Sequence, residues 1–307
     1  MSLVLPKTLI IVGAGPAGFT AGHYAARANL DVLLLGLPGG LGASVEWVDN
    51  FPALTGGIAG FDLVERMRQQ AITAGLHMEE AEVSRVTQSK SAFTLESSAG
   101  HFSAQTVIVA TGAFPSTLGV PGERELRGKG VSYCATCDGP FFRGKRVLVV
   151  GGGDSAVQEA LSLAKVASHV TLVHRRDALR AASCLQTAAA RTPNLEIAWN
   201  TTLSRIEGLD RVRSVILRDV HSGQERTQDT EGVFIYVGLK PNSRLVEGLA
   251  ALDTQGAILT DPHMATSVPG LFAAGDVRAT PLRQFVTACS DGALATMSAI
   301  DTLQRLL

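Results

Sequence analysis

One construction occurs twice in this chain and leaves few folds open to it: a short apolar strand, a glycine-rich turn, a helix and a second strand. Residues 8–36, TLIIVGAGPAGFTAGHYAARANLDVLLLG, run through a β-rich segment (Leu9 to Val12) into Gly13-x-Gly15-x-x-Gly18. Ala21, Tyr24, Ala25 and Ala28 then follow at helical spacing before DVLLL. In such a turn Gly13 makes the tight bend, Gly15 lets backbone approach a pyrophosphate, and Gly18 lets helix and strand pack closely. The helix N-terminus adds unpaired N–H groups that attract phosphate. Residues 145–180, KRVLVVGGGDSAVQEALSLAKVASHVTLVHRRDALR, repeat the plan with Gly151-x-Gly153-x-x-Ala156, a helix through Leu163 and the strand VTLV.

The two units differ where the second strand ends. The first closes in LLLGLPGG, with no acid to take a ribose 2′-hydroxyl, so its residues do not specify which dinucleotide it holds. The second closes in HRRDALR, which sets His174, Arg175, Arg176 and Arg180 about twenty residues beyond the glycines. Clustered guanidinium groups there suit a 2′-phosphate, so the second site is expected to prefer NADPH to NADH. A solvated run of loop charges is the alternative reading of Arg175 and Arg176. Two further strands close on glycine, TVIVATGA (106–113) and GLFAAGDV (270–277). Asp276, at the end of the latter, can approach a second part of a long cofactor or serve as a turn aspartate.

A length of 307 residues suggests two domains, at roughly 150 residues each. The many glycines and few aromatics fit an α/β protein with tight loops around ligands. A formal net charge of −1 leaves no global field to recruit nucleic acid or an anionic membrane surface. No segment reaches about 18 unbroken apolar residues, and MSLVLPKTLIIVGAG lacks the features of a secretory signal. The expectation is a soluble, cytoplasmic chain that meets neither nucleic acid nor membrane. In a reducing compartment, close cysteines are catalytic or metal-binding rather than structural. Of the four cysteines, Cys184 and Cys289 have no near neighbours and read as small apolar fillers, whereas Cys134 and Cys137 form CATC.

Taken in order, these motifs carry a resemblance. The chain resembles the bacterial low-molecular-weight thioredoxin reductases from about residue 8 to 303. It does so through GAGPAGFTAGHYAARANL, ERMRQQA, VIVATGA, CATCDG, GGGDSAVQEAL, HRRDALRA, VGLKPN, PGLFAAGDV and RQFVTA. CATCDG between two nucleotide motifs is the most diagnostic piece. The resemblance implies two Rossmann-like, three-layer α/β dinucleotide-binding domains, the second inserted in the first. Residues 1–115 and 245–307 would bind FAD, 116–244 would bind NADPH and carry the dithiol, and GLKPN (238–242) would mark the return crossing. The implied flavin contacts are Gly13, Gly15, Pro16, Ala17 and Gly18, then Gly39, Gly40 and Asn50, then Ala110, Thr111 and Gly112. Gly275, Asp276, Arg283, Gln284 and Phe285 complete that set. Gly151, Gly153, Asp154, Ser155 and Ala156 would join the HRRDALR residues around NADPH. A homodimer is implied as well. Departures fall around the flavin: Leu41-Gly42 follows Gly39-Gly40 where the family has Gln-Leu, ASVEW replaces a threonine run, Phe285 replaces Ala or Val, and Cys289-Ser290 replaces Ala-Gly. Leu41 lacks an amide that would hydrogen-bond the flavin, which bears on the flavin's polar environment.

The cysteine pair reads as redox chemistry. Three-residue spacing allows a reducible bridge within one turn, and Asp138 stands next to it to move a proton. A zinc site needs two further ligands, and neither Cys184, Cys289 nor isolated histidines such as His101 and His221 form a second pair. By the family's pattern Cys137 faces the flavin, Cys134 attacks the partner, and Asp138 is the general acid. The partner would be thioredoxin or a thioredoxin-like protein, reached by rotation about the crossings near 115 and 245. Tyr133 and FFRG (141–144) are candidates for its docking surface, with Phe141 equally readable as core. Two other functions stay open: a relative with a different donor (ferredoxin) or disulfide acceptor, and a redox-inert flavin- or nucleotide-binding regulator.

Overall fold

Short runs of β-branched and leucine residues set the framework. The computed structural model describes residues 7–45, 47–89 and 92–305; the first six residues of the N-terminal stretch and Glu46 of ASVEW lie outside them. In chain order the first part carries β1 (Lys7–Val12), α1 (Pro16–Arg27), β2 (Val32–Leu35), α2 (Gly40–Ala43), α3 (Gly60–Thr73), β3 (His77–Glu79), β4 (Val83–Gln88), β5 (Phe93–Ser97), β6 (Gly100–Val109) and β7 (Ala113–Pro115). The middle part carries β8 (Val131–Ser132), α4 (Ala135–Asp138), β9 (Arg146–Gly151), α5 (Asp154–Ala164), β10 (His169–Val173), α6 (Ser183–Ala190), β11 (Leu195–Ala198), β12 (Thr201–Glu207), β13 (Ser214–Asp219), β14 (Glu225–Asp229) and β15 (Gly232–Tyr236). β16 (Leu239–Pro241), β17 (Leu271–Ala273) and α7 (Phe285–Gln304) complete it. Two compact units result, Met1–Phe114 with Lys240–Leu307 and, between them in the chain, Pro115–Leu239. Both are of the Rossmann-like α/β kind.

In the first unit β3-β2-β1-β6 form a parallel run, with β17 also parallel to β6 and with β5 and β4 continuing antiparallel. Successive strand side chains point to opposite faces. Leu9, Ile11, Leu34 and Ile108 therefore meet Phe19 and Ala25 of α1, Val64 of α3 and Ala295 of α7. Ile10, Val12, Leu33 and Leu35 meet Val86, Phe93, Leu95 and Val246 on the other side. Coverage of both faces is why β2 and the Leu9–Val12 part of β1 are continuously apolar rather than alternating. α7 lies against α1 at Gly292, where a Cβ would enter the Ala17 carbonyl, and the Thr296 hydroxyl lies 3.1 Å from the Ala21 carbonyl oxygen.

The second unit has a parallel sheet in the order β11-β10-β9-β15-β8. One face, through Val147, Val149, Leu172 and Phe234, packs on Val157, Ala160 and Leu163 of α5. The other, through Leu148, Val150, Val233 and Ile235, packs on Leu203, Ile206, Val215 and Leu217 of the antiparallel sheet β12-β13-β14. Helices, parallel sheet and antiparallel sheet make three layers.

Candidate active site

The first glycine turn is built by exclusion. Gly13 has φ +122°, and a Cβ there would enter the carbonyl of Ala110 at the end of β6; a Cβ on Gly18 would enter the carbonyl of Gly13. Gly13 N–H donates to Leu35 O (2.8 Å) and Ala110 N–H to Val12 O (2.7 Å), so both strand ends close on the turn. Gly15 precedes α1 without a side-chain cap, Pro16 opens the helix, and no acid sits in its first turn. The helix's leading N–H groups are thus left for a ligand, and the position of a Gly15 Cβ has no atom within 4 Å. Gly39, Gly40 and Gly112 share that open surrounding. Asn242 holds the β6 end, its carbonyl accepting Thr111 Oγ1–H (2.6 Å) and its N–H donating to Gly112 O (2.9 Å).

The C-terminal residues of the first unit gather at the same turn. Gly275 comes against Ala17 of α1 and Ala288 of α7, its Cβ position 3.1 Å and 3.6 Å from their Cβ atoms. Burial pushes the Asp276 carboxyl up; the Arg283 charge pulls it down and Asp291 pushes it up further. Arg283 Nε is buried without an acceptor. Asn50 Nδ2 donates to Gln284 Oε1 (3.0 Å), and Gln284 caps α7 in a reciprocal box with Thr287. The Phe285 ring packs on Gly42 and in the core with α1. Uncapped helix N–H groups, open glycine surfaces, an orphaned guanidinium nitrogen and a half-buried carboxyl form a donor set that fits a long ligand bearing phosphates and hydroxyls.

The second turn repeats the exclusion with different partners. A Cβ on Gly151 would stand 2.5 Å from the Ala156 Cβ, and one on Gly152 would enter the His174 ring. Gly153 precedes α5 without a side-chain cap and in open space, with Asp154 and Ser155 exposed in the first turn. His174 departs from the expected phosphate contact. It is 5% exposed, and its Nδ1 and Nε2 lie 2.9 Å from Gly151 O and 3.0 Å from Ala178 O. Both ring nitrogens are taken by backbone, so His174 braces the turn instead of reaching outward. Arg180 N–H to Gly152 O and Ala182 N–H to Asp154 Oδ1, both 2.7 Å, tie the rest of the loop down. Arg175, Arg176 and Arg180 remain exposed, without an ion pair among the described residues.

Cys134 and Cys137 form a disulfide with Cα atoms 5.4 Å apart. Cys134 is the N-cap of α4, and its Sγ accepts Cys137 N–H at 3.1 Å. Ser132 Oγ accepts Cys134 N–H (3.0 Å) and Tyr236 Oη accepts Ala135 N–H (2.7 Å). Tyr133 donates to Glu123 Oε1 (2.5 Å), a carboxylate 4% exposed that also accepts Leu118 and Gly119 N–H at 2.9 and 2.6 Å. Burial pushes both phenols up, with the Glu123 hydrogen bond adding at Tyr133 and the Glu159 charge at Tyr236. Phe142 is in the core, but Phe141 is 72% exposed beside a hollow lined by Asp138, Lys129, Lys145 and Arg211.

The profile of the pyridine nucleotide-disulphide oxidoreductases matches residues 7–292. The thioredoxin reductase of Treponema pallidum (strain Nichols) is 45% identical, over 97% of this chain and 98% of its own. That of Bacillus subtilis (strain 168) is 44% identical, over 97% and 96%. The crystal structure of Lactococcus lactis thioredoxin reductase (FR conformation) superposes with TM-score 0.95 at 38% identity, over 97% of this chain and 99% of the other.

The chain belongs to the thioredoxin reductases, within the pyridine nucleotide-disulphide oxidoreductases. Membership brings flavin and pyridine-nucleotide chemistry with a redox-active disulfide, which is where Cys134–Cys137 stands. Several residues of this reductase had no signal in the motifs: Tyr236 and Glu123 beside the dithiol, and Arg278 with Asp291 behind Gly275; Asn242, behind Thr111, closes GLKPN, but the motif does not reveal that contact. Glu123 follows Pro-Gly and Asn242 follows Pro241, positions at which a cap or turn residue could have been sought. The departures also have places: Leu41 lies half-buried in α2, and burial pushes the Cys289 thiol up, partly offset by a hydrogen bond with Thr20. Among the described residues no helix is long and apolar enough to cross a membrane.

Proposed function

We propose that this reductase takes electrons from NADPH and delivers them to the disulfide of thioredoxin or a thioredoxin-like protein, with FAD as its flavin. The observation that carries the reading is the Cys134–Cys137 bridge on a turn whose first sulfur accepts the Cys137 N–H, in the unit that also holds HRRDALR. In this reading residues 1–115 with 245–307 are the FAD domain and 116–244 the NADPH domain; the compact units divide at Phe114 and Lys240 instead, so 240–244 go with the FAD side. Gly13 to Gly18, with Pro16 and Ala17, take the pyrophosphate on the start of α1. Gly39, Gly40, Asn50, Ala110 to Gly112, Gly275, Asp276 and Arg283 to Phe285 hold the remainder. Gly151, Gly153 and α5 from Asp154 to Ala156 receive the NADPH pyrophosphate; Arg175, Arg176 and Arg180 receive the 2′-phosphate, braced by His174. When bound, the flavin supplies a two-electron relay from nicotinamide to the bridge.

The protein's own groups do the rest. Reduction adds two electrons and a proton to the Cys134–Cys137 bond, which breaks to leave one thiolate and one thiol. The Cys137 N–H stabilises negative charge on Cys134 Sγ, making it the nucleophile. That thiolate attacks one sulfur of the partner's disulfide, forming a mixed disulfide and expelling the other sulfur as a thiolate, which Asp138 helps protonate. Cys137 then attacks Cys134 Sγ, reforming the bridge and releasing the partner's second thiol. Exposed Phe141 and the hollow lined by Lys129, Lys145 and Arg211 together with Asp138 and Glu231 support docking of the partner here. A stripe of exposed Val286, Leu294 and Met297 on α7 supports a homodimer, and NADPH with a reducible dithiol supports a cytoplasmic setting.

The test is NADPH oxidation with thioredoxin from the same cell, beside a visible spectrum. The expected result is a yellow protein bleached by NADPH. Cys134→Ser should keep the bleaching and lose thioredoxin reduction by at least about a thousandfold, the scale of removing an essential nucleophile. A flavin that NADPH leaves unbleached would end this reading and turn attention to another donor such as ferredoxin.

A further inference from the structure

Asp291 belongs to none of the motifs, yet it is 5% exposed and makes three charge-assisted contacts. Its Oδ2 accepts Gly275 N–H at 3.0 Å and Arg278 Nε at 2.7 Å, and its Oδ1 accepts Arg278 Nη2 at 2.8 Å. Arg278 Nη1 reaches Ala279 O at 3.2 Å and Thr260 Oγ1 at 3.4 Å. Both ends of the turn from Gly275 to Arg278 are therefore fastened to one carboxylate on α7. That carboxylate adjoins Gly292, where α7 meets the Ala17 carbonyl of α1, and Ala17 also borders Gly275. The same small region joins the Asp276 turn, the long helix and the start of the first glycine motif.

Stability alone is a poor account of this pair. Desolvating a buried carboxylate and a largely covered guanidinium offsets much of their attraction, and apolar replacement of both partners of such a pair is often neutral or stabilising. What a bidentate guanidinium–carboxylate pair adds is fixed position and orientation. We propose that Arg278 and Asp291 are positioning residues for the flavin, a clamp that holds the Gly275–Asp276 turn in its cofactor-receiving arrangement. This rests on the reading that the turn contacts FAD.

The experiment compares the wild-type holoenzyme with Arg278→Met/Asp291→Leu, Arg278→Lys and Asp276→Ala. Flavin release is followed by fluorescence on dilution, the bound flavin by its visible spectrum, and the flavin-stripped proteins by thermal unfolding. A turn that holds its competent form about a tenth of the time loses about tenfold in apparent affinity. Both clamp variants should show at least that loss and a shifted flavin band. The flavin-free double variant should melt at or above wild type. Unchanged flavin affinity and spectrum in the clamp variants would overturn the proposal, as would affinity losses matched by equal losses of flavin-free stability in both. Arg278→Lys keeps the charge and loses the fork, so it decides the matter if the double variant does not fold. If Asp276→Ala also retains flavin like wild type, the turn is no flavin contact and the underlying reading falls; if it loses flavin while the clamp variants do not, only the clamp falls.

Discussion

At Asp276, stability and cofactor binding pull in opposite directions. Burial raises its carboxyl above the ordinary 3.8, so the flavin-free fold binds that proton more tightly than the unfolded chain does. The resulting stabilisation is complete below the unfolded value and is lost as pH rises through the folded one. Above that window the Asp276 carboxylate works against the flavin-free protein. Asp276→Asn should therefore raise its melting temperature at neutral pH, lose that gain below pH 3.8, and weaken flavin retention. Thermal unfolding of both flavin-free proteins across the pH range checks it; no gain at neutral pH contradicts it. Asp276, Cys134, Cys137 and Asp138 could all be picked out in the sequence because each sits beside its motif. Tyr236 and Asp291 could not. The phenol meets Ala135 from 101 positions away, and the carboxylate meets Gly275 from 16, with no spacing rule to connect either pair.

Among the elements, glycine separates what pattern reveals from what packing decides. Gly13, Gly15 and Gly18 announce themselves by spacing, and the structure supplies the reason at two of them: carbonyls of Ala110 and Gly13 occupy the space of a Cβ. Gly292 is equally confined, against the Ala17 carbonyl, but stands in an apolar helix where glycine carries no positional signal. Gly292→Ala should push α7 off α1. Overpacking of this kind costs about 1–3 kcal/mol, read as a lower denaturation midpoint, and flavin retention should fall with it because Ala17 borders the Gly275 turn. An alanine variant as stable as wild type, with full flavin, would show that the two helices separate without penalty. The second motif gives the converse lesson. HRRDALR reads as one cluster of cations, but β10 ends by burying His174 under the glycine turn while the three arginines stay outside. Charge counting alone does not distinguish a ligand from a brace.

Two units of similar plan share one chain, and what they do together depends on surfaces that a motif does not describe. Val286, Leu294 and Met297 are 41%, 42% and 49% exposed along α7, an apolar stripe on a helix whose other side is core. If a second copy covers it, Val286→Lys should convert the dimer to monomer in sedimentation experiments while leaving the visible flavin spectrum in place. A variant that remains dimeric places the interface elsewhere. By itself the sequence determined the repeated strand–turn–helix plan, the two nucleotide motifs, and the redox pair with Asp138 beside it. Those signals are local: periodicity and turn chemistry act over a few residues, and a motif extends over a few tens. Tertiary structure alone decided which carboxylate fastens the Gly275 turn, which phenol holds Ala135, and that His174 faces inward. Those contacts join residues brought together only when both faces of each sheet are buried, and packing of that kind leaves no periodic mark on the chain.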